Sequence, residues 1–283
     1  MLVRYVNHAG TAFTLYGDNL SFIDPMQLHT WEWSYDLSNR VNGLGGRATG
    51  FARRPRPFEL ELRMRGYTHA QFLQQVNTLH AVADADNMAG QPGKLYVDDQ
   101  YMRCYLAVSG DQPNHPRLSN FMTRDVTVLA VEPFWCTEKS FDIFPAATEE
   151  TGTNYGKKYN LRYGYRYGTG LAGYSIKNTH YADTPAIITV FGPAVNPSAV
   201  IGGNTYAVNV TLLASERLVI DQITNQIYTI SGTGVQTSVF NSRDKQHDIF
   251  QPIRPGANAI VYSGDYKMQI TLVQQRSELL WTD

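Results

Sequence analysis

The sequence predicts a mainly β protein in two parts: an N-terminal β domain with one packed α-helix over residues 1–140, then a C-terminal β-sandwich over residues 141–283. Three observations carry this. FELELRM (Phe58 to Met64) alternates apolar and charged residues without a fault, the pattern of a half-buried strand. THAQFLQQVNTLHAVADAD is the one stretch with helical spacing. After the aperiodic FPAATEETGTNYGKK, short β-type segments recur with turn residues between them, as in a sandwich or barrel.

Each element has a local reason. In FELELRM, Phe58, Leu60, Leu62 and Met64 face inward, and Glu59, Glu61 and Arg63 face water. Thr68 caps the helix, with Gln71 completing a capping box. Phe72, Leu73, Val76, Leu79, Val82 and Ala83 make its apolar face, and NMAGQPG ends it. KLYVDDQYMRCYLAV reads as a hairpin turning at Asp98 to Gln100, and FMTRDVTVLAVEPFW as a long strand. The second part follows with AIITVFG, SAVIGG, TYAVNVTL, RLVIDQ, QIYTIS, AIVYSG and YKMQITLVQ. In ERLVID, Leu218 and Ile220 point one way and Arg217, Val219 and Asp221 the other; NQIYTI returns after a turn at Thr224 to Asn225.

Composition narrows the class. The chain of 283 residues is long enough to bury real cores. Only 17% of residues are charged, whereas 12% are aromatic and 18 residues are Tyr, which suits a surface that meets other protein. A net charge of −1 argues against attraction of the whole chain to nucleic acid or membrane. Cys104 and Cys136 form no metal or disulfide spacing, which points to a reducing compartment. The start, MLVRYVNHAGTAF, has no secretion signature, and no run is apolar enough to span a bilayer.

Catalytic patterns are missing. There is no His-Glu-x-x-His, no Gly-x-Ser-x-Gly and no phosphate-cradling loop. The histidines are scattered without ligand spacing, and Asp98–Asp99 and Glu149–Glu150 are sequence neighbours, which strands aim to opposite faces. GLGGRA matches a dinucleotide fingerprint, but the prolines of TGFARRPRP forbid the helix such a fingerprint opens. The reading is a protein with no catalytic site, no cofactor and no metal.

Two segments invite contact. Val41–Pro57 is read as a long Gly-rich loop that turns basic with Arg47, Arg53, Arg54 and Arg56. It is either a solvated loop or an arm that orders against a neighbouring subunit or passing nucleic acid. Residues 154–174, NYGKKYNLRYGYRYGTGLAGY, set Tyr163, Tyr165 and Tyr167 on one face of an extended segment and Arg162 and Arg166 on the other. An entry strand with packed tyrosines, a docking surface for another protein and a sugar platform all remain open.

The order FGPAVNP, ERLVID, a short returning strand, F-x-P-I-R-P-G-A-N and a last strand with Gln-Arg resembles the distal tail (Dit) family of long-tailed bacteriophages. VEPFW at the end of the first domain resembles the family as well, so the likeness spans nearly the whole chain. The resemblance implies a tail-tube-like belt domain followed by a galectin-like, carbohydrate-binding-module-like sandwich whose last strand returns toward the first domain. It implies a structural virion protein, not an enzyme: a ring, six copies as a rule, at the tail tip. Implied partners are other copies of the chain, the tail tube protein, the tail-associated hub protein, and tape-measure and receptor-binding proteins. DNA passes through without specific binding, nothing inserts into a membrane, and the part is assembled in the host cytoplasm. Pairing of strands across subunits would protect sheet edges in such a ring. The alternative function is a carbohydrate-binding module that touches the host surface directly.

Overall fold

Alternating side chains and tight turns build the first sheet. The structure, a computed structural model, describes residues 2–17, 20–22, 33–41, 44–109, 120–145 and 174–280. It divides into two compact units, Met1–Thr137 with Gln275–Asp283, and Glu138–Gln274. The first unit holds β1 (Val3–Val6), β2 (Ala12–Tyr16), β3 (Leu20–Phe22), β4 (Ser34–Asn39), β5 (Gly46–Ala52), β6 (Arg56–Arg65), α1 (His69–Ala89), β7 (Gly93–Val97), β8 (Gln100–Ser109) and most of β9 (Phe121–Ile143). Its main sheet is antiparallel in the order β2-β1-β7-β8-β9-β6-β3.

The expected alternation holds in β6: Phe58, Leu60, Leu62 and Met64 are buried, and Glu59, Glu61 and Arg63 are exposed. β7 and β8 pair through Val97 and Gln100, with Asp98 at φ 51° in the turn. The helix starts where predicted. Thr68 is extended and its Oγ1 accepts from the Gln71 N–H at 3.2 Å; Gly90 closes the far end at φ 64°. Its buried face, Phe72, Val76, Leu79, Val82 and Ala83, joins Tyr5, Leu60, Leu95, Met102, Leu106, Val128 and Trp135 in one core. Asp86 lies on the same buried face and is wholly enclosed.

The second unit adds β10 (Tyr174–Asn178), β11 (Ala186–Phe191), β12 (Ala194–Val195), β13 (Ser198–Ile201), β14 (Asn204–Ala207), β15 (Thr211–Leu212), β16 (Arg217–Asp221), β17 (Gln226–Ile230), β18 (Gln236–Ser238), β19 (Gly256–Tyr262) and β20 (Met268–Arg276). One sheet runs β18-β17-β16-β11-β20, a second β10-β19-β13-β14, and β12 pairs with β15. Ile188, Leu218, Ile220, Ile227 and Ile270 of the first sheet share a core with Ile176, Ile201, Tyr206 and Ile260 of the second, which makes a β-sandwich. The protein is therefore mainly β, with a single α-helix among its described residues.

Both faces of β16, an inner strand between β11 and β17, are buried: Leu218 and Ile220 on one, Val219 and Asp221 on the other. Asp221 repays its burial by accepting from the Ile223 and Thr224 N–H groups at 2.8 and 3.2 Å. In RPGAN, Gly256 takes the left-handed angle, φ 94°. Asn258 is a buried strand residue whose Nδ2 donates to the carbonyls of Arg254 and Gly256 at 2.9 and 3.1 Å.

Candidate assembly surface

The basic segment is not a loop. Residues 46–52 form β5, paired with β4 from Ser34↔Ala52 to Asn39↔Gly46, with a register shift between Asp36 and Leu37. The loop reading of Val41–Pro57 is thus corrected for this part. Cross-strand hydrogen bonds satisfy a Gly-rich strand as well as any other once a partner strand lies beside it, as β4 does. Its signal is the alternation of Trp33, Tyr35 and Leu37 with Ser34, Asp36 and Ser38.

Register sorts the ribbon into two faces. Tyr35 pairs with Phe51 and Leu37 with Ala48, so these side chains share one face. Ser34, Asp36 and Ser38 share the other with Arg47, the partner of Ser38. The apolar face is uncovered: Tyr35, Leu37 and Phe51 are 60, 63 and 68% exposed. Val41 and Leu44 are also exposed at the turn. An isolated two-stranded hairpin is marginal in water, and an exposed apolar patch on one marks a contact surface.

The root of the ribbon is rigid. The Arg53 guanidinium lies over the rings of Trp33 and Phe134, 5.4 and 5.2 Å from their centroids, and Nη1 donates to the Ser277 carbonyl at 2.9 Å. Trp33 meets Phe134 edge-on at 6.4 Å. Burial pulls the Arg53 guanidinium below its ordinary value, and the Glu278 carboxylate opposes that shift. Arg54 and Arg56 line a neighbouring cleft of about 300 Å³ with Trp33, Pro55 and Pro133.

The four arginines therefore separate. Arg47 lies out on the polar face of the ribbon, Arg53 is committed to its root, and Arg54 and Arg56 flank the cleft beside it. Tyr163, Tyr165 and Tyr167 lie outside the described residues. Among the described residues no three His, Cys, Asp or Glu side chains are grouped to hold a metal ion, and no helix is long and apolar enough to cross a membrane.

The motifs that carried the family resemblance form the frame of the second unit. Ile253 exchanges two backbone hydrogen bonds with Thr184, both 2.9 Å, and its carbonyl also accepts from Asn178 Nδ2 at 3.0 Å. Gly192 of FGPAVNP packs against the Leu213 carbonyl with no room for a Cβ, and its N–H donates to the Glu216 carbonyl at 2.9 Å. Neither motif holds a reactive group.

No known protein family matches the sequence, and no curated protein does. Solved structures do. The SPP1 Dit protein, described as a paradigm of the hub adsorption apparatus in phages infecting Gram-positive bacteria, matches with a TM-score of 0.57 at 11% identity, over 98% of this chain and 100% of that one. A chain of the phage p2 baseplate, activated with Ca, matches at 0.64 and 13% identity, over 98% of this chain and 99% of that one. A chain of the same baseplate activated with Sr matches at 0.65 and 14%, with the same coverage. The chain shares the fold of phage Dit and baseplate proteins.

Proposed function

We propose that this chain is a structural, non-enzymatic distal tail protein of a long-tailed bacteriophage. The N-terminal domain, residues 1–140, closes a ring at the tail tip, six copies in number. The second unit, Glu138–Gln274, projects outward and holds receptor-binding or baseplate proteins. The tail tube stacks on one side of the ring and the hub protein on the other, and DNA passes through the lumen without sequence-specific contacts. The ring is assembled in the host cytoplasm and resides in the virion.

One observation carries the reading: a chain with the Dit fold extends a β-ribbon whose Tyr35, Leu37 and Phe51 face is uncovered. Such a face gains free energy only against another surface, about 25 cal/mol per Å² of apolar area covered. A head-to-tail contact of that kind closes into a ring when its rotation permits.

Light scattering across a concentration series tests it. A species near six times 31.8 kDa, or one growing toward that mass, is the expected result. A monomer at every concentration, both alone and with the tail tube protein added, overturns the ring.

A further inference from the structure

We infer that the outer face of β17 and β18 is a binding cleft for a neutral glycan. The inference stands apart from the ring reading, as it uses only side chains of the second unit. Register places the lining. Tyr228 pairs with Ser238 and Ile230 with Gln236, so Gln226 and Tyr228 of β17 share a face with Gln236 and Ser238 of β18. Ile227 points the other way into the core. β18 ends at Ser238, and the Val239 N–H donates to the Ile227 carbonyl at 2.9 Å as the chain enters the helical turn Phe240–Ser242. That turn brings Phe240 alongside Gln226, with Gln236 at the far end of the cleft. Asn225, at φ 53°, stands near Phe240, in the turn that Asp221 caps.

The cleft measures about 440 Å³. Small-ligand sites span about 300–1,000 Å³. Asn225, Gln226, Gln236 and Ser238 line it beside Tyr228 and Phe240, and no lining residue bears a charge. Three carboxamides and a hydroxyl offer donors and acceptors together, which matches sugar hydroxyls that are both at once. Among the described residues none of these four side chains is spent in a protein hydrogen bond. The two rings supply apolar plates for the C–H faces of a pyranose. Phe240 is held in place by Phe250, stacked at 6.0 Å and 20°, and by Arg243, whose guanidinium lies 4.0 Å over the ring. Arg243 also donates to the Phe240 carbonyl at 2.9 Å, so this cation serves the wall of the cleft. Beside the cleft, Arg217 and Asp221 of β16 act on the Tyr228 phenol with opposite sign, so a phosphate or carboxylate ligand meets no net positive charge there. A neutral polyhydroxylated ligand has every group answered.

The test uses the full chain with maltohexaose, cellohexaose, chitohexaose and lactose, each at millimolar concentration, read by saturation-transfer NMR. Transfer to at least one of them is expected, with little change on raising salt, because no ion pair is involved. Tyr228→Ala weakens binding by about tenfold, the usual loss for one aromatic contact. Tyr228 is half-buried, so a second variant, Gln226→Ala with Gln236→Ala at exposed positions, repeats the loss with an unchanged melting temperature. Absence of transfer to all four sugars overturns the inference. So does binding that both variants retain in full, or binding that salt abolishes.

Discussion

Burying a carboxylate costs several kcal/mol unless its oxygens are filled. Asp86 meets that condition with three donors: the Tyr5 hydroxyl, the His8 N–H at 2.8 Å and the His8 ring Nδ1 at 2.5 Å. Gly93 makes the room, since any Cβ there would collide with the Tyr5 hydroxyl and the Asp86 carboxylate. Asp86→Ala removes the partner of both His8 donors, leaves the Tyr5 hydroxyl only the Cys104 carbonyl at 3.2 Å, and is expected to cost about 3 kcal/mol, read as a lowered urea midpoint. The same cluster sets an alkaline limit. Burial, and then the Asp86 bond, push the Tyr5 phenol far above its ordinary 10.0; burial also pushes the Cys104 thiol above 9.0. Both groups hold their proton more tightly folded than unfolded. Their contribution is therefore complete below about pH 8 and is lost as pH rises through and beyond the unfolded values. Urea midpoints at about pH 8 and about pH 10.5 should differ, and Tyr5→Phe should narrow the difference. An equal drop in both proteins would remove Tyr5 from the account.

At the scale of elements, the core strands and the ribbon respond to substitution in opposite ways. Leu60 is fully packed, so Leu60→Ala is expected to cost about 3 kcal/mol. Leu37 and Phe51 touch mostly water, so Leu37→Ser with Phe51→Ser should move the urea midpoint by no more than about 0.5 kcal/mol. The same double variant should abolish the large species seen by light scattering. A destabilised monomer would show that the ribbon packs on its own unit, and an unaffected assembly would move the contact elsewhere. β6 and α1 were legible because burial on one side imposes a period of two or of 3.6 on the sequence. The ribbon was not, because neither of its faces packs on the chain's own core. Gly45 and Gly46 also read as a loop when pairing is unknown.

At the scale of the molecule, the two cores share no side chain. Differential scanning calorimetry is expected to resolve two transitions, with Leu60→Ala shifting one and Ile270→Ala the other. A single transition moved equally by both variants would show one cooperative unit. The chain's organisation into a β domain with one helix and then a sandwich was readable because turn residues and strand patterns are local. The assignment of residues 275–283 to the first unit rests on contacts such as Gln100 Nε2 with the Leu280 carbonyl at 2.8 Å and Arg53 with Ser277.

The sequence by itself determined the strand class, the capped helix, the lack of a catalytic motif and the order of motifs that resembles a phage tail protein. All of these rest on neighbours along the chain, where periodicity and turn chemistry act. Only the tertiary structure decided that Asn258 is a buried clasp, that Asp86 is a satisfied core carboxylate and that Arg53 lies over both Trp33 and Phe134. It alone brought Tyr228 and Phe240 to one cleft and gave the ribbon an apolar face. The physical reason is separation. A hydrogen bond or ring contact between residues tens of positions apart imposes no period on the sequence, so it becomes visible only once the chain has closed on itself.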